Sequence, residues 1–109
     1  MITVEFFGSS PIYGFHITGH SDINPGGPEI LCAAVSSAAY MVANTVTEII
    51  GLEPELSVGD GDMYLKLQTE NEANRCRDIF DGMRLHLSSV EEQYKDYIKL
   101  TYSEVLGNA

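Results

Sequence analysis

His20 and Cys32 are the two side chains of this sequence best suited to act together in acyl transfer. A cysteine thiolate is a strong nucleophile, and a neighbouring histidine can take up its proton and later protonate the leaving amine. We expect Cys32 near the start of a long helix, where unpaired backbone N–H groups and the helix dipole favour the thiolate. The same N–H groups can stabilise an oxyanion. The pair therefore predicts nucleophilic catalysis.

Each of these residues also has an ordinary structural interpretation. A cysteine near a helix start is often a small buried hydrophobic side chain, and a histidine after a glycine is often a loop residue. Ser36 lies one helical turn after Cys32, so its hydroxyl can bond into a site or back to the Cys32 carbonyl. Asp22 and Glu29 can each orient His20. The residues alone do not choose between these alternatives.

Neither a metal nor another cofactor is predicted. His16, His20 and Cys32 lack a compact pair of ligands at a typical zinc spacing. Asp60 and Asp62 lack the spacing and the closing glutamate of a calcium-binding EF-hand loop, so turn formation is their better interpretation.

The second cysteine, Cys76, has a structural interpretation. It falls in an apolar stripe of a predicted helix, which indicates a buried packing residue. Its distance in sequence from Cys32 and the expected cytosolic setting argue against a disulfide. His86 lies beside the same stripe and is predicted to be at the surface.

Seven elements must position these side chains. The hydrophobic periodicity and the turn signals predict the order strand-strand-helix-strand-strand-helix-strand, an α+β, two-layer fold with a mixed sheet and two helices. The predicted strands are 2–6, 13–18, 56–58, 63–67 and 97–102, and the helices are 30–50 and 72–94. The first two strands and the two that flank Asp60-Gly61 are expected to form hairpins.

The loop between the second strand and the first helix, 19–28, contains Pro25, Gly26, Gly27 and Pro28. A glycine-rich loop can move, so we expect it to close over an extended peptide. Pro28 suits the first turn of the helix that follows. That helix is so apolar that it must be covered on more than one side, by a second helix or by another subunit, which makes a homodimer plausible.

Composition bounds the function further. The 109 residues fit one domain, 1–109, and six Lys+Arg against sixteen Asp+Glu give a net charge of −10. Residues 1–51 contain no Lys or Arg, which argues against nucleic-acid binding and against an anionic membrane surface. The acidity favours a basic partner such as a ribosomal protein, although it also serves solubility.

Ser36 and Ser37 interrupt the longest apolar run and the start lacks a secretory signal, so we expect a cytosolic protein with no membrane span.

One family resemblance is concentrated in residues 19–36. They read Gly19-His20, then a loop with Gly27-Pro28-Glu29, then Ile30-Leu31 and Cys32-Ala33-Ala34-Val35-Ser36. This arrangement resembles the ribosomal-processing cysteine protease family, Prp, and the order of predicted elements agrees with that family over the whole chain.

The resemblance implies a small α+β homodimer that removes a short N-terminal extension from large-subunit ribosomal protein number twenty-seven, after a pair of aromatic residues. It implies Cys32 as nucleophile, His20 as general base and Ser36 as a supporting residue. The family has Asp where this chain has Glu29, which leaves the third catalytic group open. The rival interpretations are a non-catalytic acidic assembly factor that holds a basic ribosomal protein, and a thiol-dependent hydrolase with another substrate.

Overall fold

A computed structural model describes residues 1–19 and 28–104, and the side chains of all of these except Pro28 and Glu29. The elements follow the predicted order, which confirms the α+β fold class. They are β1 (Ile2–Phe7), β2 (Gly14–Thr18), α1 (Pro28–Asn44), β3 (Glu55–Gly59), β4 (Asp62–Lys66), α2 (Glu70–Arg75), α3 (Arg77–Gln93) and β5 (Ile98–Ser103).

The five strands form one mixed sheet in the order β3-β4-β2-β1-β5. All neighbours are antiparallel except β1 and β5, which run parallel with Ile2 opposite Ile98. Both predicted hairpins are present, the first pairing Phe6 with Phe15. Because side chains alternate across a strand, Ile2 and Val4 are buried on the helix side, and Thr3 and its alternate neighbours lie on the opposite face.

The first helix ends differently from the prediction. α1 stops at Asn44, and the chain continues as a π-helical segment, Thr45–Ile49, closed by a bond from the Ile50 N–H to the Thr45 carbonyl. The hydroxyls of Thr45 and Thr47 donate to the carbonyls four residues earlier, at 2.8 and 3.1 Å. Such back-bonding competes with the regular helical ladder, which accounts for the wider turn. Gly51, with a φ of 83°, follows directly and ends the helix as predicted.

The second helix is divided in two. Thr69 caps α2 by accepting a hydrogen bond from the Glu72 N–H at 3.1 Å, so this helix begins at Glu70, before the predicted start. At Cys76 the N–H reaches the carbonyls of both Ala73 and Glu72, and a φ of −104° breaks the helical path before α3 begins. The apolar stripe still runs through the break, because Ala73 and Cys76 are buried as fully as Phe80.

The core lies between the helices and one face of the sheet. The rings of Phe15 on β2 and Phe80 on α3 meet edge to face at a centroid distance of 6.4 Å and an angle of 84°. Both side chains are fully buried. Their contact joins the central strand of the sheet to α3.

By length and composition alone, the helical stretch Ile30–Ile49 is apolar enough to cross a membrane, with 20 residues and a hydropathy of 1.5. Ser36 and Ser37 therefore do not make this stretch too short or too polar for a membrane span, contrary to our expectation from the sequence. The core helix of a soluble protein passes the same test, and 33% of the most apolar window is buried in this fold.

Replacing Phe80 by Ala should destabilise the fold by about 3–5 kcal/mol, since it removes a fully buried ring and leaves a cavity. The matched control on the same helix is Leu85→Ala, whose side chain is 72% exposed and whose loss should change stability by about 0.5 kcal/mol or less. Urea unfolding of both variants measures the difference. Similar losses in the two variants would contradict the burial described above.

Candidate active site

Cys32 lies one turn into α1, as its fifth residue. Its side chain is half-buried and packs against the hydrophobic core. A helical Cα–Cβ bond tilts toward the N-terminus, which directs the sulfur over the first turn. The N–H groups of that turn have no partner four residues earlier within the helix. The thiol therefore lies on the side of the helix where a negative charge is stabilised.

A cleft of about 280 Å³ opens beside this thiol. One wall is the face of α1 that carries Cys32, Ser36 and Tyr40, and the other is the β3–β4 hairpin. This volume is near the lower limit of about 300 Å³ for ligand pockets, so it suits one or two side chains of a larger substrate. The remaining described lining residues are Ile2, Ile17, Gly19, Val35, Ala39, Val58, Gly59, Asp60, Gly61, Asp62 and Met63.

Gly19 closes the cleft where β2 ends. Its N–H donates to the Gly61 carbonyl in the β3–β4 turn at 3.0 Å, and its φ is 91°. A Cβ added here would collide with the Met1 carbonyl oxygen. Only glycine satisfies both the left-handed backbone and this close approach. The end of β2, the β3–β4 turn and the segment at Met1 thus meet at Gly19, the residue that precedes His20 in the sequence.

The charge in the cleft is negative. Asp62 touches the lining, but its carboxylate lies on the sheet face away from the helices, where Oδ1 is 2.7 Å from His16 Nε2. Asp60, in the turn between β3 and β4, also belongs to the lining, and the part of that lining described by the structure contains no Lys or Arg. The turn predicted at Asp60-Gly61 is confirmed, and it brings this charge to the thiol. The cleft therefore favours a cationic peptide over an anionic one.

Burial also affects a ring outside the cleft. Tyr64 meets His16 edge to face at 5.4 Å on the sheet surface away from the helices. Desolvation, followed by the nearby carboxylates of Glu55 and Glu5, raises the pKa of the Tyr64 phenol. The ring therefore stays neutral through the physiological range, and its contact with His16 is that of an uncharged aromatic group.

The structure brings Cys32 and Ser36 to the same cleft, as their spacing predicted. Pro28 begins α1 as expected, and Glu29 belongs to its first turn. The other predicted site residues lie outside the described part of the chain. These are His20, Asp22, Pro25, Gly26 and Gly27.

Tyr40 and Val58 are cleft residues that the sequence did not indicate. Each is an apolar residue in an otherwise ordinary helix or strand, and only the packing of α1 beside the hairpin brings them together. The one signal in the sequence was position, because Tyr40 lies two helical turns after Cys32 and so shares its face.

The second cysteine differs sharply from the first. Cys76 is 1% exposed, as the apolar stripe predicted, and burial raises the pKa of its thiol. Neither cysteine is in a disulfide bond. His86 is exposed on α3, also as predicted. Among residues 1–19 and 30–104, no three His, Cys, Asp or Glu side chains form a group that could hold a metal ion.

The fold and the thiol-bearing cleft place this chain in a class of small α+β proteins that includes cysteine proteases. The sequence model of one family, described as cysteine protease Prp, matches residues 1–99. The chain belongs to this family, as the resemblance in residues 19–36 indicated.

Two relatives support the assignment. The ribosomal processing cysteine protease Prp of Bacillus subtilis is 28% identical over 95 residues, which is 83% of this chain and 85% of the relative. The protein of the same name from Staphylococcus aureus is 25% identical over 85 residues, which is 77% of this chain and 80% of the relative.

Solved structures show the same fold. A crystal structure of the S. aureus ribosomal processing protease Prp with a covalently linked product peptide matches with a TM-score of 0.76 and 26% identity, covering 94% of this chain and 100% of that one. A Streptococcus mutans protein superimposes with a TM-score of 0.82 at 20% identity, over 95% of this chain and 98% of that one.

Gly19→Ala should destabilise the protein more than Gly51→Ala. Both residues have positive φ, so each substitution costs about 1–2 kcal/mol in backbone strain. Only the Gly19 variant adds a collision, with the Met1 carbonyl, worth about 1–3 kcal/mol more, because nothing lies within 4 Å of a Cβ at Gly51. The difference between the two variants in the free energy of unfolding, measured in urea, gives the cost of the collision. Equal losses would mean that Met1 moves aside freely.

Proposed function

We propose that this chain is a cysteine endopeptidase that uses Cys32 as its nucleophile and His20 as its general base. The thiolate attacks the scissile carbonyl, and His20 donates a proton to the departing amine, leaving an acyl-enzyme. His20 then takes a proton from water, which attacks the thioester and releases the acid and the thiolate. N–H groups of the first turn of α1 stabilise the oxyanion in both steps.

One observation carries the proposal. A half-buried thiol, one turn into a helix, lines a cleft in a chain that belongs to the cysteine protease Prp family. The S. aureus relative holds a covalently linked product peptide, which is consistent with a covalent intermediate in this family.

We further propose that the substrate is the N-terminal extension of large-subunit ribosomal protein number twenty-seven. The family resemblance implies this substrate, and the B. subtilis and S. aureus relatives are named ribosomal processing proteases. Charge supports it independently. The chain carries −10 and its cleft carries Asp60, so a basic protein is attracted over long range.

The remaining residues have supporting roles in this proposal. Ser36, in the cleft beside Cys32, helps to position the substrate, and either Asp22 or Glu29 orients His20. Residues 25–27, which precede Pro28 at the start of α1, close over the peptide in this proposal. The reaction takes place in the cytosol, where ribosomes are assembled.

A homodimer is part of the same proposal. The outer face of α1 carries no charge between Ile30 and Met41, which are 72% and 54% exposed. The exposed residues between them on this face are Ala33, Ala34 and Ser37. A second copy would cover these apolar side chains, because a face without charges packs at low desolvation cost.

Mixing the protein with the extended ribosomal-protein precursor should produce one defined cut near the N-terminus, measured by intact mass. Cys32→Ala should lower the rate by about 10³-fold or more, and His20→Ala by about 10²–10⁴-fold. Cys76→Ala is the matched control and should retain the same cut, since Cys76 is buried in the core away from the cleft. A cut that persists in Cys32→Ala would contradict the proposed mechanism.

Alkylation separates the protease from a non-catalytic assembly factor. With iodoacetamide at pH 7, Cys32 should react faster than the cysteine of a short unstructured peptide, as expected of a catalytic nucleophile that lines a cleft. Cys76 should remain unmodified in the folded protein, because it is buried and its pKa is raised, and should react only in denaturant. If Cys32 reacts no faster than the peptide cysteine and Cys32→Ser retains full function, the assembly-factor interpretation holds instead. A thiol that is activated without cutting the precursor indicates a hydrolase with another substrate.

A further inference from the structure

The edge strand β3 is poorly covered on its helix-facing side. Leu56 and Val58 lie on the same face as the buried residues Met63 and Leu65, with which they are paired across the hairpin. Yet Leu56 is 46% exposed and Val58 is 49% exposed. Tyr40, on the opposite wall of the cleft, is 46% exposed. The cleft at Cys32 therefore continues into an apolar groove between α1 and β3.

The backbone of β3 is also open at this place. β3 is the last strand of the sheet, and all five of its residues are exposed. Asp60-Gly61 forms a two-residue turn, so Gly59 and Asp62 form the hydrogen-bonded pair that closes the hairpin. Alternation then directs the N–H and C=O groups of Val58 and Leu56 away from β4. The side chain of Val58 thus lies on the groove side of the strand, and its backbone N–H and C=O groups point away from β4 along the free edge.

We propose that the free edge of β3, with Tyr40 and Val58, forms the specificity groove of the Cys32 site. This inference rests on the proposed peptidase function and names how the substrate is held. An extended basic peptide pairs its backbone with Leu56 and Val58, as an additional strand of the sheet. Every second side chain of that peptide then points to the helix side, where an apolar residue packs against Tyr40 and Val58.

Charge identifies the occupant as a basic peptide. The turn at the end of β3 places Asp60 in the same cleft, and the lining that the structure describes contains no positive side chain. A peptide strand that leaves the groove past this turn brings its own residues close to the Asp60 carboxylate. A second acidic copy of this chain would instead meet like charges there, because the chain carries −10.

Binding and cleavage of a synthetic peptide from the precursor N-terminus test the groove separately from the chemistry. Binding is measured by fluorescence anisotropy with the Cys32→Ala variant, and cleavage with Cys32 intact. Val58→Thr retains the shape and strand preference of valine but places a hydroxyl in the groove, so it should raise Kd and KM by about tenfold with little change in kcat. Tyr40→Ala should likewise raise Kd and KM by about tenfold with little change in kcat. Tyr40→Phe should retain the Kd and KM of the protein with Tyr40.

Leu85→Asp is the matched control, since Leu85 is an exposed apolar side chain on α3 and not part of the cleft. It should leave Kd and KM unchanged. Replacing the apolar residues of the peptide by Ala, one at a time, should weaken binding at the contact position by about tenfold. In the Tyr40→Ala background that same replacement should have no further effect, because coupled contacts are not additive.

N-methylation of successive peptide amides tests the backbone pairing. Methylation should weaken binding at alternate amides only, since an added strand directs every second N–H toward its neighbour. The proposed groove would be rejected if Kd is unchanged in both Val58→Thr and Tyr40→Ala. It would also be rejected if the effects of N-methylation do not alternate along the peptide. Peptide binding that depends on Val58 and Tyr40 but is never followed by cleavage would support the groove and reject the peptidase. No binding to any variant would reject the groove.

Discussion

Helices α1 and α3 have to cover one face of a five-stranded sheet, and this constraint shapes the site. Helices about 10 Å across lie side by side over strands spaced about 4.8 Å apart, so they cover the middle of the sheet and leave its edges partly bare. Phe6 and Phe15, on the two central strands β1 and β2, are fully buried. Val58 and Tyr102, on the helix side of the two edge strands, are 49% and 51% exposed. The cleft lies where coverage by α1 ends, beside β3.

The two cysteines show that a helix start does not by itself produce a reactive thiol. Cys76 is at the N-terminal boundary of α3, where the helix dipole favours a thiolate. Nevertheless its pKa is raised, because it is 1% exposed and desolvation outweighs the local charges. Cys32 combines a comparable helix position with partial exposure to a cleft. Access to solvent, rather than helix position, distinguishes the Cys32 thiol from the buried thiol of Cys76.

Much of this fold can be predicted because each element has a local signal. The alternation of Ile2, Val4 and Phe6 and the turn at Asp60-Gly61 depend on neighbouring residues only, and both are present. The break at Cys76 could not be predicted, since the apolar stripe has the same period on both sides of it. The π-helical segment after Asn44 depends on the rotamers of two threonine hydroxyls, which a sequence pattern does not specify.

The site could be predicted only in part, for a related reason. Cys32 and Ser36 share a helix face, so their spacing alone places them together. Val58 and Gly61 join them through the packing of a hairpin about thirty residues away, which no local pattern encodes. Gly19 precedes His20 in the sequence, but its contacts with Met1 and Gly61 exist only once the sheet is assembled.

The parallel pairing of β1 with β5 joins strands that lie about 95 residues apart in the sequence. Ile2, which lines the cleft, donates its N–H to the Tyr97 carbonyl at 2.8 Å, just before the last strand begins. During synthesis β1 can pair with β2 early, but its other edge stays open until residues near position 100 have left the ribosome. Ile2 is therefore secured on its β5 side only late in synthesis. The Cys32 thiol leaves the ribosome long before β5 can hold Ile2 in place, so the cleft takes its final shape only after β5 has been made.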